Sequence, residues 1–136
     1  MRIRKFKKSD VEALVTILKL NKQYAYPSVE GPEAMQKVSR CQSALFLVAE
    51  EADCPVGFIK AVYDGSRALI HLLSVHPAFQ RKGIGSKLLD ATISGLRERG
   101  APSISVTVTE GSAGFWERKA FKKLPVFLMI KEFEEP

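Results

Sequence analysis

The sequence predicts an α+β fold in one domain spanning residues 1–136: a central mixed, mostly antiparallel β-sheet flanked by helices, three layers in all. Three observations predict it. Residues 44–50, 56–63 and 68–75 are consecutive runs rich in β-formers, joined by short turns at 51–55 and Asp64-Gly65, which is the pattern of an antiparallel meander. The third run enters a glycine-bearing loop and then an amphipathic helix, with Ile84, Leu88, Leu89, Thr92, Ile93 and Leu96 on one face. Residues 103–108 then alternate as a strand, parallel to the preceding one if the helix is its crossover.

The remaining elements follow in chain order. Ile3 and Phe6 sit in a short, weakly alternating extended stretch. Ser9-Asp10 offers an N-cap, with Val11, Leu14, Val15 and Leu18 following at helical spacing. Residues 21–32, rich in Tyr, Pro and Gly, read as a loop with room for a helical turn, and Pro32 starts a second helix that runs to about Arg40. Tyr24 and Tyr26 either line a substrate pocket or pack the loop onto the body. Gly57 inside a strand marks a bulge or a close backbone approach. Gly100 and Pro102 stop the long helix. Phe115, Trp116 and Lys119 fall on a short helix, and residues 126–130 read as a final strand before an acidic tail.

Composition narrows the classes of function. The apolar share, 46%, is that of an ordinary globular protein, and no apolar run is long enough to span a bilayer. The first residues are basic but lack a following apolar stretch, so no signal peptide is expected, and the default location is cytoplasmic. Cys41, Cys54, His71 and His76 are too scattered for a metal site, so two reduced thiols and no metal are expected. A net charge of +6 favours an anionic partner. Acidic and basic residues are otherwise mixed, and nothing like a recognition helix or an aromatic RNA platform is present, so nucleic acid is not expected as a partner.

The glycine loop specifies which anion. Gly83, Gly85 and Ser86 are small, and a helix starts there, so its first unpaired N–H groups and the positive end of its dipole face one point. A dinucleotide fingerprint needs a third glycine where Leu88 stands, and Gly85-Ser86-Lys87 does not match a nucleoside-triphosphate loop.

Gln80-Arg81-Lys82-Gly83-Ile84-Gly85, preceded by Val75-His76-Pro77, resembles the Q/R-x-x-G-x-G/A signature of the GNAT superfamily of N-acetyltransferases. The order of elements along the whole chain is similar to that family's too. The resemblance implies acetyl-coenzyme A (acetyl-CoA) as cofactor, its pyrophosphate on backbone N–H groups of Gln80, Arg81, Lys82, Gly83, Ile84, Gly85 and Ser86. It implies a pantetheine arm paired with backbone groups of Leu73 and Val75, in a gap between residues 72–75 and 104–108. One of those N–H groups would hold the developing oxyanion.

Catalytic groups are less plainly marked. In the family's L-Y-x-x-x-G-F pattern, Trp116 stands at the Tyr that protonates the leaving sulfur, Ala120 at the Gly, and Thr109 at an upstream Asn. An indole cannot serve as that acid, so Trp116 packs either against the acyl or pantetheine end or into the core. A thiolate can leave without a dedicated acid, since its thiol titrates not far above neutrality. His71 shares the parity of Leu73 and Val75, which puts it on their face of the strand as a candidate base for the acceptor ammonium; the competing reading is a packed or edge histidine. His76 has the opposite parity and reads as a turn residue, and Glu110 and Ser112 are weaker candidates for substrate contact. The expected reaction is acetyl transfer to a primary amine of a small molecule or protein. The alternatives are an acyl-CoA-binding module with little or no turnover and an enzyme for longer acyl chains. A second copy of the chain is a candidate partner, with residues 126–130 forming a core strand or an interface.

Overall fold

One five-stranded sheet, in the order β1-β2-β3-β4-β5, organises the chain. The structure, a computed structural model, describes residues 1–133. Contacts divide the chain into Met1–Val106 and the part from Thr107 onward, each described by itself.

In the first part, β1 (Arg2–Lys5), β2 (Ala44–Glu51), β3 (Cys54–Tyr63) and β4 (Ala68–Val75) are successive antiparallel neighbours. Strand β5 (Ile104–Val106) runs parallel to β4, three residues of the expected six. Neighbours along a strand face opposite sides of a sheet, and both sides are covered. Phe46, Val48 and Phe58 pack with Leu14, Ile17 and Leu18 of α1 (Val11–Leu20) and Met35 of α3 (Pro32–Ser39). Leu45, beside Phe46, meets Gly95 of α4 (Ile84–Glu98) on the other face. The mixed sheet and three layers are those the sequence predicts. Residues 27–30 form the short helix α2 within the loop that follows α1.

Gly57 is a close approach. A Cβ there would stand 3.1 Å from the Ser74 carbonyl oxygen, 3.3 Å from Val75 Cγ2 and 3.4 Å from Leu88 Cδ1. This glycine lets α4 sit down on β3 and β4, and it puts Val75 on the α4 face.

Two local expectations change. Asp10 makes no N-cap bond; it is buried and takes a bidentate ion pair from Arg4, both contacts 2.8 Å. Arg4 Nε also donates to Glu50 at 2.9 Å, so one guanidinium ties β1, the start of α1 and β2 together. Ile93 is only half-buried and lines a shallow hollow on the outer face of α4 with Asp90, Ser94, Arg97 and Glu98.

The part from Thr107 holds a turn at Glu110–Ser112 and the helix α5 (Ala113–Arg118). Residues 126–130, expected as a strand, form no ladder among the described residues. They are extensively exposed, Phe127 at 93%. A continuous apolar run has the composition of a buried strand, but a strand exists only when a partner supplies the ladder.

Candidate active site

The glycine loop begins where β4 ends. His76 does not point into a site: its Nδ1 accepts from Ala78 N at 3.0 Å, fixing the turn Pro77–Phe79. Arg81 and Gly83 both adopt positive φ, 64° and 81°. For Gly83 that conformation costs little; for Arg81 it stores strain of about 1 kcal/mol or more. The first α4 bond runs from Lys87 N to Gly83 O at 3.1 Å, so the N–H groups of Ile84, Gly85 and Ser86 precede any intrahelical acceptor. No atom lies within 4 Å of where a Cβ on Gly83 would stand. Lys82 Nζ rests 5.2 Å from the Phe79 ring centre, keeping its charge beside the loop. Open space before a left-handed glycine, a helix N-terminus and two adjacent cations fit a diphosphate.

Gln80, the first residue of the signature, directs its side chain elsewhere. Its Nε2 donates to the Val75 carbonyl at 2.9 Å and to Asn21 Oδ1 at 3.2 Å. Asn21 Nδ2 donates to the same carbonyl at 2.8 Å. The Val75 carbonyl therefore accepts two side-chain hydrogen bonds. Strand β5 pairs with β4 only from Ala68 to Ile70, so among the described residues the outer edge of β4 from His71 to Val75 has no strand partner. Leu73 and Val75 lie on that edge.

His71 is turned from its expected direction. The register pairs Lys60 with Leu72 and Ala61 with Ile70, leaving His71 as the extra residue of a β-bulge. Parity breaks there: Ile70 and Leu72, two apart, pair with the adjacent Ala61 and Lys60 and so face opposite sides, Leu72 on the α1/α3 core, and the charges acting on His71 are Lys60 and Glu30. A bulge cannot be read from one strand alone, because it exists only relative to the partner. Partial burial, and secondly Lys60, hold the imidazole below its usual pKa; Glu30 opposes this weakly.

Lys60 and Glu30 were not singled out from the sequence. Lys60 is buried in mid-sheet, 5% exposed, and forms an ion pair with Glu30 at the end of α2. A lone cation within an apolar strand was the available signal. Gly31 follows Glu30 for a steric reason: a Cβ there would stand 2.3 Å from the Pro27 carbonyl oxygen. Tyr24 packs against the core cluster, with Lys19 Nζ 5.5 Å from its ring centre, whereas Tyr26 is exposed.

In the second part, Trp116 is buried between Phe115 and Phe121, edge to face at 5.2 and 5.3 Å. Of the two readings of Trp116, this geometry corresponds to packing. The helix ends in a Schellman motif: Phe121 N bonds Trp116 O and Ala120 N bonds Glu117 O, both at 3.0 Å, with Ala120 at φ 68° where glycine is preferred. Thr109 and Ser112 bond each other across the turn before it, Oγ1 to Oγ at 3.2 Å. Among the described residues no group of three or more His, Cys, Asp or Glu could hold a metal ion, and no helix is long and apolar enough to cross a membrane.

Comparison with known proteins agrees with this architecture. The model of the Acetyltransferase (GNAT) family matches residues 11–121. Ard1 from Thermoplasma volcanium is 28% identical with a TM-score of 0.77, over 89% of this chain and 82% of that one. Two others share the fold. A transcriptional regulator from Bacillus halodurans C-125 is 24% identical with a TM-score of 0.81, over 96% of this chain and 99% of that one. The PaiA N-acetyltransferase from Thermoplasma acidophilum, solved in complex with coenzyme A, is 22% identical with a TM-score of 0.76, over 88% and 86%. By its sheet, its glycine loop and the span of the family match, this chain belongs to the GNAT acetyltransferase family.

Proposed function

We propose that residues 1–136 form a single N-acetyltransferase domain that moves an acetyl group from acetyl-CoA to a primary amine of a small molecule or a protein. One observation carries the reading: the open cradle at Gly83, on the N-terminus of α4, follows directly from the unpartnered edge of β4. Backbone N–H groups of residues 81–86 hold the pyrophosphate, fixed and untitratable, with Arg81 and Lys82 adding charge; the Gln80 N–H bonds the Pro77 carbonyl at 3.5 Å. Leu73 and Val75 offer the strand edge to the pantetheine arm. Acetyl-CoA supplies the activated acyl group. A backbone N–H on that edge would stabilise the charge that develops on the thioester oxygen. His71, kept neutral by partial burial and by Lys60, accepts the proton that the acceptor ammonium must lose.

Isothermal titration with coenzyme A, followed by a free-thiol release assay on a panel of amines, tests the proposal. Binding with acceptor-dependent thiol release supports it; no binding overturns it. One observation favours a second reading, an acyl-CoA-binding module with little turnover: the position of the family's acid holds Trp116, packed between two phenylalanines. Binding without thiol release on any acceptor selects that reading. The free, exposed Cys41 and Cys54 suit work in the cytoplasm. A second copy of the chain is the proposed partner of the apolar run at 124–130.

A further inference from the structure

Helix α1 closes with a Schellman motif. Gln23 N bonds Leu18 O at 2.8 Å and Lys22 N bonds Lys19 O at 3.2 Å, with Lys22 in the left-handed region at φ 57°. This turn sets Asn21 and Gln23, two residues apart, against the end of β4. Asn21 Nδ2 donates to Ser74 Oγ and to the Val75 carbonyl, both at 2.8 Å. Ser74, 3% exposed, donates onward to Gln23 Oε1 at 2.6 Å. Gln80 Nε2 closes the circuit on Asn21 Oδ1 and the Val75 carbonyl. The chain leaving this turn is the segment through residue 31 that carries Tyr24, Tyr26, α2 and Glu30. The chain leaving Gln80 is the cofactor loop. Two loops nearly sixty residues apart in sequence are thus fastened to one carbonyl.

We infer that Asn21 and Gln80 are positioning residues that couple occupancy of the glycine loop to the order of segment 22–31. This rests on the proposed binding of coenzyme A at residues 81–86. The physical argument is direct. Fixing the loop on an anion fixes the backbone that carries Gln80. That holds the Gln80 amide on Asn21 and Val75, and Asn21 leads into segment 22–31, whose Gln23 is held by Ser74 of the same network. Coupling of this kind is reciprocal, so an ordered segment 22–31 also tightens coenzyme A binding. Replacing either amide cuts the link while leaving the phosphate donors, which are main-chain N–H groups, in place.

Amide hydrogen exchange of segment 22–31, with and without saturating coenzyme A, tests the coupling, and calorimetry measures binding separately. In the wild-type protein, coenzyme A should slow exchange there by about 5- to 10-fold, the low end of ordinary coupling. In Gln80→Leu and Asn21→Ala, exchange in the free protein should already be faster, and the slowing by coenzyme A should vanish. Gln80 is exposed, so Gln80→Leu keeps the test alive if Asn21→Ala does not fold. A merely structural role would accelerate exchange in Asn21→Ala yet leave segment 22–31 unchanged in Gln80→Leu. That result overturns the inference, as does coenzyme A binding that leaves wild-type exchange at 22–31 unaltered. Failure of coenzyme A to bind the wild-type protein at all overturns the reading of the loop, and this coupling with it.

Discussion

Lys60, buried at the middle of β3, is paired with Glu30 at the end of α2, so segment 22–31 is tied to the sheet by an ion pair as well as by the Ser74–Gln23 hydrogen bond. After burial, the two charges of the pair act on the bulged His71 in opposite directions. Lys60→Met removes the cation that disfavours an imidazolium and should raise the His71 pKa. Glu30→Gln removes the opposing anion and should lower it. Following the ring proton of His71 by NMR across pH gives both directions, and the acid limb of kcat/KM should move with them. If His71→Gln leaves that limb in place, His71 is not the base. The sign for stability is the reverse of a paired histidine's. With its folded pKa below the unfolded value of about 6.5, His71 favours folding while neutral, and that contribution is lost as pH falls through the unfolded pKa.

At the cofactor loop, Gly83→Glu puts a side chain and a negative charge into a space now empty. It should abolish coenzyme A binding. Gly83→Ala separates the two causes: it adds backbone strain at φ 81°, about 1 kcal/mol, without charge. Calorimetry should show Gly83→Ala weakened and Gly83→Glu silent, with circular dichroism unchanged in both. Equal binding by Gly83→Glu and the wild type would remove the diphosphate from this loop.

Arg4 and Asp10 should dominate acid sensitivity. Burial pushes Asp10 up, but the bidentate Arg4 pair and the Lys7 N–H outweigh it and hold the carboxyl below its ordinary value. The stability this brings is complete above the unfolded carboxyl pKa of about 3.9 and disappears as pH falls through the lower folded value. Arg4→Leu leaves a buried carboxylate unpaired and should cost about 3 kcal/mol in urea unfolding at neutral pH. A loss under 1 kcal/mol would show that water replaces the guanidinium.

What was legible in the sequence follows a physical division. The meander, the crossover helix and the Gly57 close approach were readable because each depends on local pattern or on the lack of a Cβ. The glycine loop was readable for the same reason. The direction of His71 was not, since a bulge is a relation between two strands. Nor was the Lys60–Glu30 pair, which joins residues thirty apart through tertiary packing. Asp10 looked like an N-cap because caps and buried ion-pair partners draw on the same residue type.

Helix ends offer a stabilising test. Among the described residues three helices close with Schellman motifs, and of these only α4 has glycine at the left-handed position, Gly100 at φ 103°; α1 has Lys22 and α5 has Ala120. Ala120→Gly relieves the Cβ clash of the left-handed conformation and adds unfolded-state entropy, a net gain of about 0.5–1 kcal/mol. Lys22→Gly should gain a similar amount, but it lies beside Asn21. Thermal unfolding of the two variants should show both Tm values raised. A lowered Tm for Ala120→Gly would mean that the Ala120 methyl makes a packing contact worth more than the strain.

The apolar run near the C-terminus makes the last prediction. Leu124, Val126, Phe127, Leu128, Met129 and Ile130 are each at least 70% exposed. Contiguous apolar exposure on this scale marks an association surface, and an apolar run that joins no ladder among the described residues can bury its side chains and gain one by pairing with its own copy about a two-fold axis. Sedimentation velocity should therefore show the wild-type protein dimerising as concentration rises. Phe127→Asp combined with Met129→Asp should shift it to monomer without loss of helical signal. Lys122→Ala, outside the run, should leave the dimer intact. A wild-type protein that stays monomeric at hundreds of micromolar would sink the dimer and leave the run to pair within its own chain.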